Sequence, residues 1–585
     1  MRKQLFFILA MITCTIASQV QAQIKWENPL QQSFPVERGR AWNNELKSTY
    51  NRLPLRAKEK VRPPLWDLSQ QSAGLSIAFY SNAPEITVRY VVGGGLAMFH
   101  MPTTGVSGMD LYATDVDGRQ RWCAGRFAFK DTVTCRYTGL SYDNAYHRKG
   151  YEFELFLPLY NSVSWLEIGV PQDAYFSFLP VSEEKPLVIY GTSIAQGACA
   201  SRPGMAWTNI VKRKLECPVI NLGFSGNGKL ESELFDLLAE TDAKMYIIDC
   251  MPNLPGAEES KLIYDRCLQG VRKLRKASSA PILLVEHSGY TNELTSKTTE
   301  DSYRIANVEL RKAYEALQKE GIVELHYLTK EEIGLSMDAM VEGVHPNDLG
   351  MQQYADSYVR KIKEVLHQES DDLTTSTPCK QRRDANTYEW NDRHEQVLKL
   401  NKEKAPEILM IGNSITNYWA GEPLAPHQWG KASWEKLFKG KVVRNLGFGW
   451  DRVENVLWRI HHGELDGYRA KCIAMMIGTN NLDWNTDEEI IAGIRQVVKA
   501  IRQRQPDAKL YVIGILPRKD MEERVRTFNL SLEKELQHST DALYLNLGEE
   551  LMDKEGRANL SLFRDGLHPN EKGYELIAKE LGKVF

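Results

Sequence analysis

The sequence reads Glu342-Gly-Val-His345-Pro-Asn and, far downstream, Asp565-Gly-Leu-His568-Pro-Asn. An acid three residues before a histidine in one tight turn brings a carboxylate to an imidazole, fixing the ring tautomer and stabilising the imidazolium formed when the ring takes a proton. Such a pair needs a nucleophile. Two serines stand at matching places upstream, Ser193 in YGTSIAQG and Ser414 in IGNSITNY. Each follows an apolar strand-like run and enters a helix-like one, a turn that exposes the hydroxyl and points the serine N–H at an oxyanion. Between serine and histidine lie two more matched blocks, NLGFSGNG with NLGFGWD and DCMPN with GTNN. Gly226 lets its N–H approach a ligand without a side chain intervening, while Asn253 and Asn480 offer side-chain N–H groups to the same point. Taken singly, either serine is also a favoured helix N-cap, and glycine and asparagine are common turn formers. The same order occurring twice is what points to chemistry.

The elements that must position these residues read in three parts. From about residue 70 to 180, short alternating segments such as EITVRYVV and DTVTCRYTGL are separated by turn residues, an all-β sandwich or jelly-roll pattern. From Pro186, apolar strands such as PLVIY, AKMYIIDC and APILLVEH alternate with helix-period segments, the mark of βαβ units on a parallel sheet. The run ESDDLTTSTPCKQRRDAN, at 369–386, is polar and contains Pro378, so it reads as a linker. After it the rhythm restarts with EILMIGNS, and the two sets lie about 220 residues apart, a spacing of duplicated domains. The expected division is a leader at 1–22, a β-sandwich at 23–182, an α/β unit at 183–368, a linker at 369–395 and a second α/β unit at 396–585. In open parallel sheets ligands sit at the carboxyl ends of the strands, where all four blocks fall.

Length and charge bound the function classes. At 585 residues the chain is long enough for three or four domains. A net charge of −3 with no long basic run lacks the electrostatic footprint of a nucleic-acid binder. The N-terminus MRKQLFFILAMITCTIASQVQAQ has two cations, a short apolar stretch and Val20-x-Ala22, the parts of a secretory signal peptide cleaved near Ala22. Its apolar run is too short to span about 30 Å of hydrocarbon, and no later run is longer. Cys14 raises a lipoprotein alternative, for which Thr13 is a poor match. A secreted or periplasmic protein follows. The remaining cysteines are spread through the chain as small buried residues, except that Cys123 and Cys135 fall on strands read as neighbours and could pair.

The four blocks resemble those of the SGNH hydrolases, also called the GDSL esterase family, over nearly all of the chain after the leader. The C-terminal unit is similar to the branch containing platelet-activating-factor acetylhydrolase subunits, through GNSIT, NLGFGWD, GTNN and DGLHPN. The middle unit resembles a sister branch through GTSIAQGACASRPG and VHPNDLGM, and GMDLY at 108–112 matches the G-x-D-L-Y motif of the β-domain that precedes hydrolases of that branch. A similar jelly-roll plus hydrolase arrangement occurs in carbohydrate acetylesterases. The resemblance implies two three-layer α/β/α, flavodoxin-like units. It makes Ser193 and Ser414 nucleophiles, His345 and His568 general bases, and Asn253 and Asn480 oxyanion donors, with Glu342 and Asp565 as the triad acids. Glu342 departs from the usual Asp, Thr192 and Asn413 from the usual Asp before the nucleophile, and Trp450 stands where alignment on Gly226 puts the block-two glycine. Any residue but proline supplies a main-chain N–H there.

The implied reaction is ester hydrolysis through an acyl-enzyme. No cofactor or metal is called for, since HExxH, paired CxxC and acidic calcium-loop motifs are missing from the sequence. No extra apolar segment is available as a lipase lid, which points to short acyl groups, chiefly acetyl, on polysaccharides or glycoprotein sugars including sialic acids; peptidoglycan shares the chemistry. Trp207, Trp419, Trp450 and Trp484 lie near the blocks and are candidate stacking platforms for sugar faces, with the core as the other reading; Trp458 in ENVLWRI reads as core. The competing class is a carbohydrate-binding protein in which one hydrolase-like unit is degenerate.

Overall fold

The computed structural model describes residues 23–47, 49–141, 148–369 and 371–585. The leader, with Cys14, lies outside the described residues. Ile24 to Phe178 form two antiparallel sheets. One runs, in spatial order, Ile24–Glu27, Val163–Pro171, Glu85–Val92, Val133–Thr138 and Gly125–Ala128. The other runs Phe176–Phe178, Ser76–Ser81, Tyr151–Phe156, Asp110–Thr114 and Gln120–Cys123. Alternation gives these strands two faces: Val133, Cys135 and Tyr137 are buried, and Arg136 and Thr138 exposed. The inward residues of both sheets, among them Val88, Ile168, Phe79 and Leu155, make one core.

The cysteine expectation fails here. Cys123 closes a strand paired with Asp110–Thr114, whereas Cys135 belongs to the other sheet, paired with Glu85–Val92 and Gly125–Ala128. The chain changes sheets at Ala124, so the two are not neighbours across a ladder. Both are free thiols whose pKa burial pushes up, Cys123 to about 11 and Cys135 to about 12.

Two α/β units of one architecture follow. The first parallel sheet has Leu187–Gly191 beside Val219–Gly223 on one edge and Met245–Asp249, Ile282–Val285 and Leu325–Leu328 on the other. The second repeats this with Ile408–Gly412, Val443–Gly447, Cys472–Met476, Lys509–Ile513 and Leu543–Leu545. Both have the 2-1-3-4-5 order of flavodoxin-like folds, with a switch point between the first and third strands. Helices cover both faces, so the first strand of the sheet is apolar along its length: Val188 and Tyr190 join one helix-covered core, Leu187 and Ile189 the other. In the second unit Leu409 and Ile411 divide from Ile408 and Met410 in the same way. No helix among the described residues is long and apolar enough to cross a membrane.

The segment expected as a linker is not a tether. Gln381, Arg382 and Arg383 are buried. Arg382 donates to both carboxylate oxygens of Glu389 at 3.0 and 3.1 Å and to the Gly150 carbonyl of the β-domain at 2.8 Å. Gln381 donates to the Gly449 carbonyl at 2.9 Å, and Arg383 pairs with Asp117 at 2.9 Å. The helix Trp390–Glu403 begins inside the expected linker and packs into the second unit. Polarity marked this stretch as exposed, but its buried arginines find partners in Glu389, Asp117 and the Gly150 carbonyl, which is how charged groups come to be buried.

Candidate active sites

Ser193 opens the short helix Ser193–Gln196 directly after the first strand, and Ser414 opens Ser414–Asn417. The N-cap in each case is the preceding residue: Thr192 Oγ1 accepts from the Ile194 N–H at 3.3 Å and Asn413 Oδ1 from the Ile415 N–H at 2.9 Å. Asn is as fit for this task as the Asp it replaces, and Thr, somewhat weaker, still caps. Capping by the neighbour leaves both serine hydroxyls for other work, and each makes the same bond. Ser193 Oγ lies 2.8 Å from His345 Nε2, and Ser414 Oγ lies 2.8 Å from His568 Nε2.

On the far side of each ring stands the acid. One oxygen of Glu342 takes both His345 Nδ1 and, at 3.1 Å, the His345 backbone N–H. Asp565 divides the task, with Oδ2 at 2.7 Å from His568 Nδ1 and Oδ1 accepting from the His568 N–H at 2.8 Å. The longer Glu side chain therefore reaches its ring. Partial burial raises the Asp565 pKa, but the N–H donors and the His568 ring outweigh it and hold the carboxyl below its usual range, ionised at neutral pH. The turn is set by the helix that follows: Asn347 and Asn570 cap Asp348–Val365 and Glu571–Leu581 through the Gly350 and Gly573 N–H groups.

The shared NLGF block has a structural reason. The Asn221 side chain donates to the Ala195 carbonyl at 2.7 Å in the nucleophile's helix, and Asn445 donates to Thr416 at 2.9 Å. Beyond it, Gly226 has φ +69° and Trp450 φ +64°. The alignment of tryptophan on glycine thus holds in backbone geometry, although the left-handed conformation strains a bulky residue. Asn253 Oδ1 accepts from the Gly228 N–H at 3.0 Å, which leaves its amide N–H groups for an oxyanion; Asn480 spends one N–H on the Asp451 carbonyl at 2.9 Å and keeps the other.

Sequence reasoning missed a pair of arginines. Arg52, from the β-domain, donates to the Gly223 carbonyl at 2.6 Å and the Asn221 carbonyl at 3.3 Å, over the Phe224 ring. Arg393, from the helix after the supposed linker, donates to Gly447 at 2.9 Å and Asn445 at 3.1 Å, over the Phe448 ring. Burial lowers their pKa values to about 9 and about 10, still cationic at neutral pH. Each unit's second strand is thus clamped by an arginine from the segment before it. The residues lie about 340 positions apart in unlike surroundings, so no sequence pattern links them.

Models described as the GDSL-like lipase/acylhydrolase family match residues 184–363 and 410–576, and one described as the N-terminus of an SGNH-hydrolase-type esterase matches residues 24–176. Platelet-activating factor acetylhydrolase IB subunit alpha2 of Rattus norvegicus is 31% identical over 200 residues, 34% of this chain and 83% of that subunit. The chain belongs to the GDSL-like (SGNH) hydrolase family. Subunit alpha1 of Homo sapiens is 30% identical over 200 residues, 34% of this chain and 82% of its own length. A GDSL-like lipase from Bacteroides ovatus matches with a TM-score of 0.54 and 28% identity, covering 59% of this chain and 98% of that one.

In this GDSL-like hydrolase the β-domain meets the first site at two places. Within GMDLY, Asp110 pairs with Arg202 and accepts from the Gly204 N–H at 2.9 Å, while the Tyr112 hydroxyl accepts from Arg202 at 2.6 Å. The adjoining Ser201 N–H donates to Asp348 at 2.9 Å, three residues past His345. His100, on a β-domain loop, sets its ring edge-on to His345 with centroids 5.4 Å apart. The second GDSL site is flanked by aromatic groups instead. Trp429 and Tyr418 each lie 5.6 Å from the His568 ring, and the Tyr418 hydroxyl donates to Asp384 at 3.2 Å.

The candidate platforms divide. Trp207 is fully buried against Tyr358 and Trp419 is buried against Tyr574, so neither faces a ligand. Trp450 is 46% exposed and Trp484 72% exposed, with Arg452 over the Trp484 ring. Trp458 is buried, and its N–H donates to Glu216 of the first unit at 2.5 Å.

Proposed function

We propose that this protein is an exported two-site esterase that removes acetyl groups from glycans. The observation that carries the reading is the pair of complete Ser–His–acid arrangements, each with its Oγ–Nε2 bond at 2.8 Å. In either site the imidazole takes the serine proton as Oγ attacks the ester carbonyl. The oxyanion is met by the serine N–H, the N–H of Gly226 or Trp450 and the Asn253 or Asn480 amide. Histidine then returns the proton to the departing alcohol and activates a water that releases the acid. Relatives named acetylhydrolases, at about 30% identity, support acetyl as the acyl group. Exposed Trp450, at the oxyanion turn of the second site, supports a sugar ring as the alcohol, since pyranose faces stack on indoles. Because neither triad lacks a member, the degenerate-unit alternative gains no support.

The test is acetate release from a panel of O-acetylated substrates: xylan, sialoglycoprotein, peptidoglycan and a phospholipid acetyl ester. Release from a polysaccharide, absent in a Ser193→Ala/Ser414→Ala double variant, is the expected result. Turnover confined to the lipid ester overturns the glycan reading. Export is checked separately by N-terminal sequencing of the mature protein, which should begin at Gln23.

A further inference from the structure

We propose that the first unit holds a zinc-type divalent cation between His100, Cys199, Glu342 and His345, and that the bound ion switches off Ser193 while leaving Ser414 working. One ligand atom from each of these side chains lies within 4.8 Å of all the others, and this is the one such group of His, Cys, Asp and Glu among the described residues. Ligands around a tetrahedral zinc ion are about 3.3–3.8 Å apart, so closing the cage takes on the order of 1 Å of side-chain rotation. The set has a thiol that becomes a soft thiolate on binding, two imidazoles and one carboxylate, a composition that selects zinc and its transition-metal neighbours over magnesium or calcium.

Two further observations point to a ligand. His100 Nδ1 is buried without a hydrogen-bond partner, an uncommon state for a ring nitrogen. Cys199 is buried and sits at φ +69°, a backbone conformation that disfavours any residue with a Cβ. Ester hydrolysis uses neither residue. Strain of this kind persists where the surroundings hold it, and it clusters at functional positions. The second site has no counterpart among the described residues: around His568 stand Tyr418 and Trp429, and the His427 imidazole, stacked on Trp429, is not part of any such cluster.

Binding there is incompatible with catalysis by this unit. The His345 ring gives one nitrogen to Ser193 and the other to Glu342. A metal–nitrogen bond to either replaces one of those contacts, and the Glu342 oxygen is withdrawn as well. As the Cys199–metal bond forms, the thiol proton leaves to solvent. The ion would also tie the β-domain, through His100, to the hydrolase unit.

The experiment uses the full mature protein and three arms, and it stands independently of which ester is the substrate. Titration with Co²⁺ as spectroscopic probe should give a near-ultraviolet thiolate-to-cobalt band in wild type that is lost in Cys199→Ser. Zn²⁺ at micromolar concentration should lower p-nitrophenyl acetate turnover at least tenfold in Ser414→Ala, reversibly with EDTA, and by less than twofold in Ser193→Ala. His100→Ala, on an accessible loop, should raise the Zn²⁺ midpoint at least tenfold. A wild-type spectrum without the thiolate band overturns the proposal, as does inhibition that is equal in both units or unmoved by His100→Ala. If the first unit proves inactive towards the reporter ester, the cobalt spectra of wild type, Cys199→Ser and His100→Ala decide alone.

Discussion

Ser193→Ala, Ser414→Ala and the double variant should divide esterase activity into two independent parts. The triads share no residue: Ser193, His345 and Glu342 come from one sheet's loops and Ser414, His568 and Asp565 from the other's. Loss of the nucleophile from a serine triad costs about 10⁶ in rate, about 8 kcal/mol of barrier, within its own unit. Each single variant should therefore lose its own unit's share of p-nitrophenyl acetate turnover and keep all of the other's. The double variant should fall about 10⁶-fold, to the roughly 10³–10⁴-fold advantage over water that oxyanion donors and binding alone maintain. Stoichiometry sharpens the test, because a fluorophosphonate labels only an activated serine. Wild type should take two equivalents per chain, each single variant one, and the double variant none. A single variant without any label or turnover, or a wild type that titrates at one equivalent, refutes the inference that both 2.8 Å Oγ–Nε2 contacts make working nucleophiles.

Glu342→Gln, measured in Ser414→Ala, and Asp565→Asn, measured in Ser193→Ala, should each lower kcat by about 10³–10⁴, since an amide no longer fixes the Nδ1–H tautomer or stabilises the imidazolium. Asp249 ends the third strand, fully buried with only the Tyr358 hydroxyl as side-chain partner, and desolvation raises its pKa from 3.8 to about 7. From pH 4 to 7 the folded state keeps a proton that the unfolded state has released, so stability falls as pH rises through that window. Asp249→Asn should raise the first unit's melting temperature at both pH 5 and pH 8 but more at pH 8, by a gain of about 4 kcal/mol in stability there against about 2 kcal/mol at pH 5, read by calorimetry. Arg393→Leu, which orphans the Asn445 carbonyl and leaves the Gly447 carbonyl with only the Asn417 amide, should cost the second unit about 1–3 kcal/mol, seen as faster amide hydrogen exchange in Val443–Gly447. A fragment beginning at 371 should fold and one beginning at 396 should not, a difference that circular dichroism resolves.

Fold and catalytic blocks were legible because both rest on short-range pattern. A parallel strand covered on both faces must be apolar along its length, as PLVIY and EILMIG are; the serine, glycine and asparagine blocks follow such strands within a few residues, and the acid–histidine turns stand just before the last helix of each unit. Contacts decided by distant chain were not legible. Whether Cys123 and Cys135 share a sheet depends on which way the chain turns at Ala124, and nothing local encodes that. Trp207 and Trp419 stand as near to the catalytic serines in sequence as any platform would, yet both point into cores. Trp429 and His100 approach the active histidines from about 140 and 245 positions away, and no spacing rule reaches so far.

The polar stretch at 369–395 shows how composition and structure part company. Polarity predicts exposure only when the charged groups lack partners that outcompete water. Arg382 has Glu389 and the Gly150 carbonyl, Arg383 has Asp117, and Arg393 has the two strand carbonyls beside the Phe448 ring. These contacts make the stretch serve the second unit as the β-domain serves the first. Arg52 and Arg393 hold the same two carbonyls of the NLGF block, whose asparagine braces the helix bearing the nucleophile. The duplicated element is therefore larger than the α/β unit that periodicity delimits. A hydrolase core with its own catalytic residues still takes a buried guanidinium from the preceding chain to set the loop beside its serine. Cutting at the apparent linker removes that guanidinium, together with the buried His394–Glu464 contact at 2.8 Å, and with them the support of the second active site.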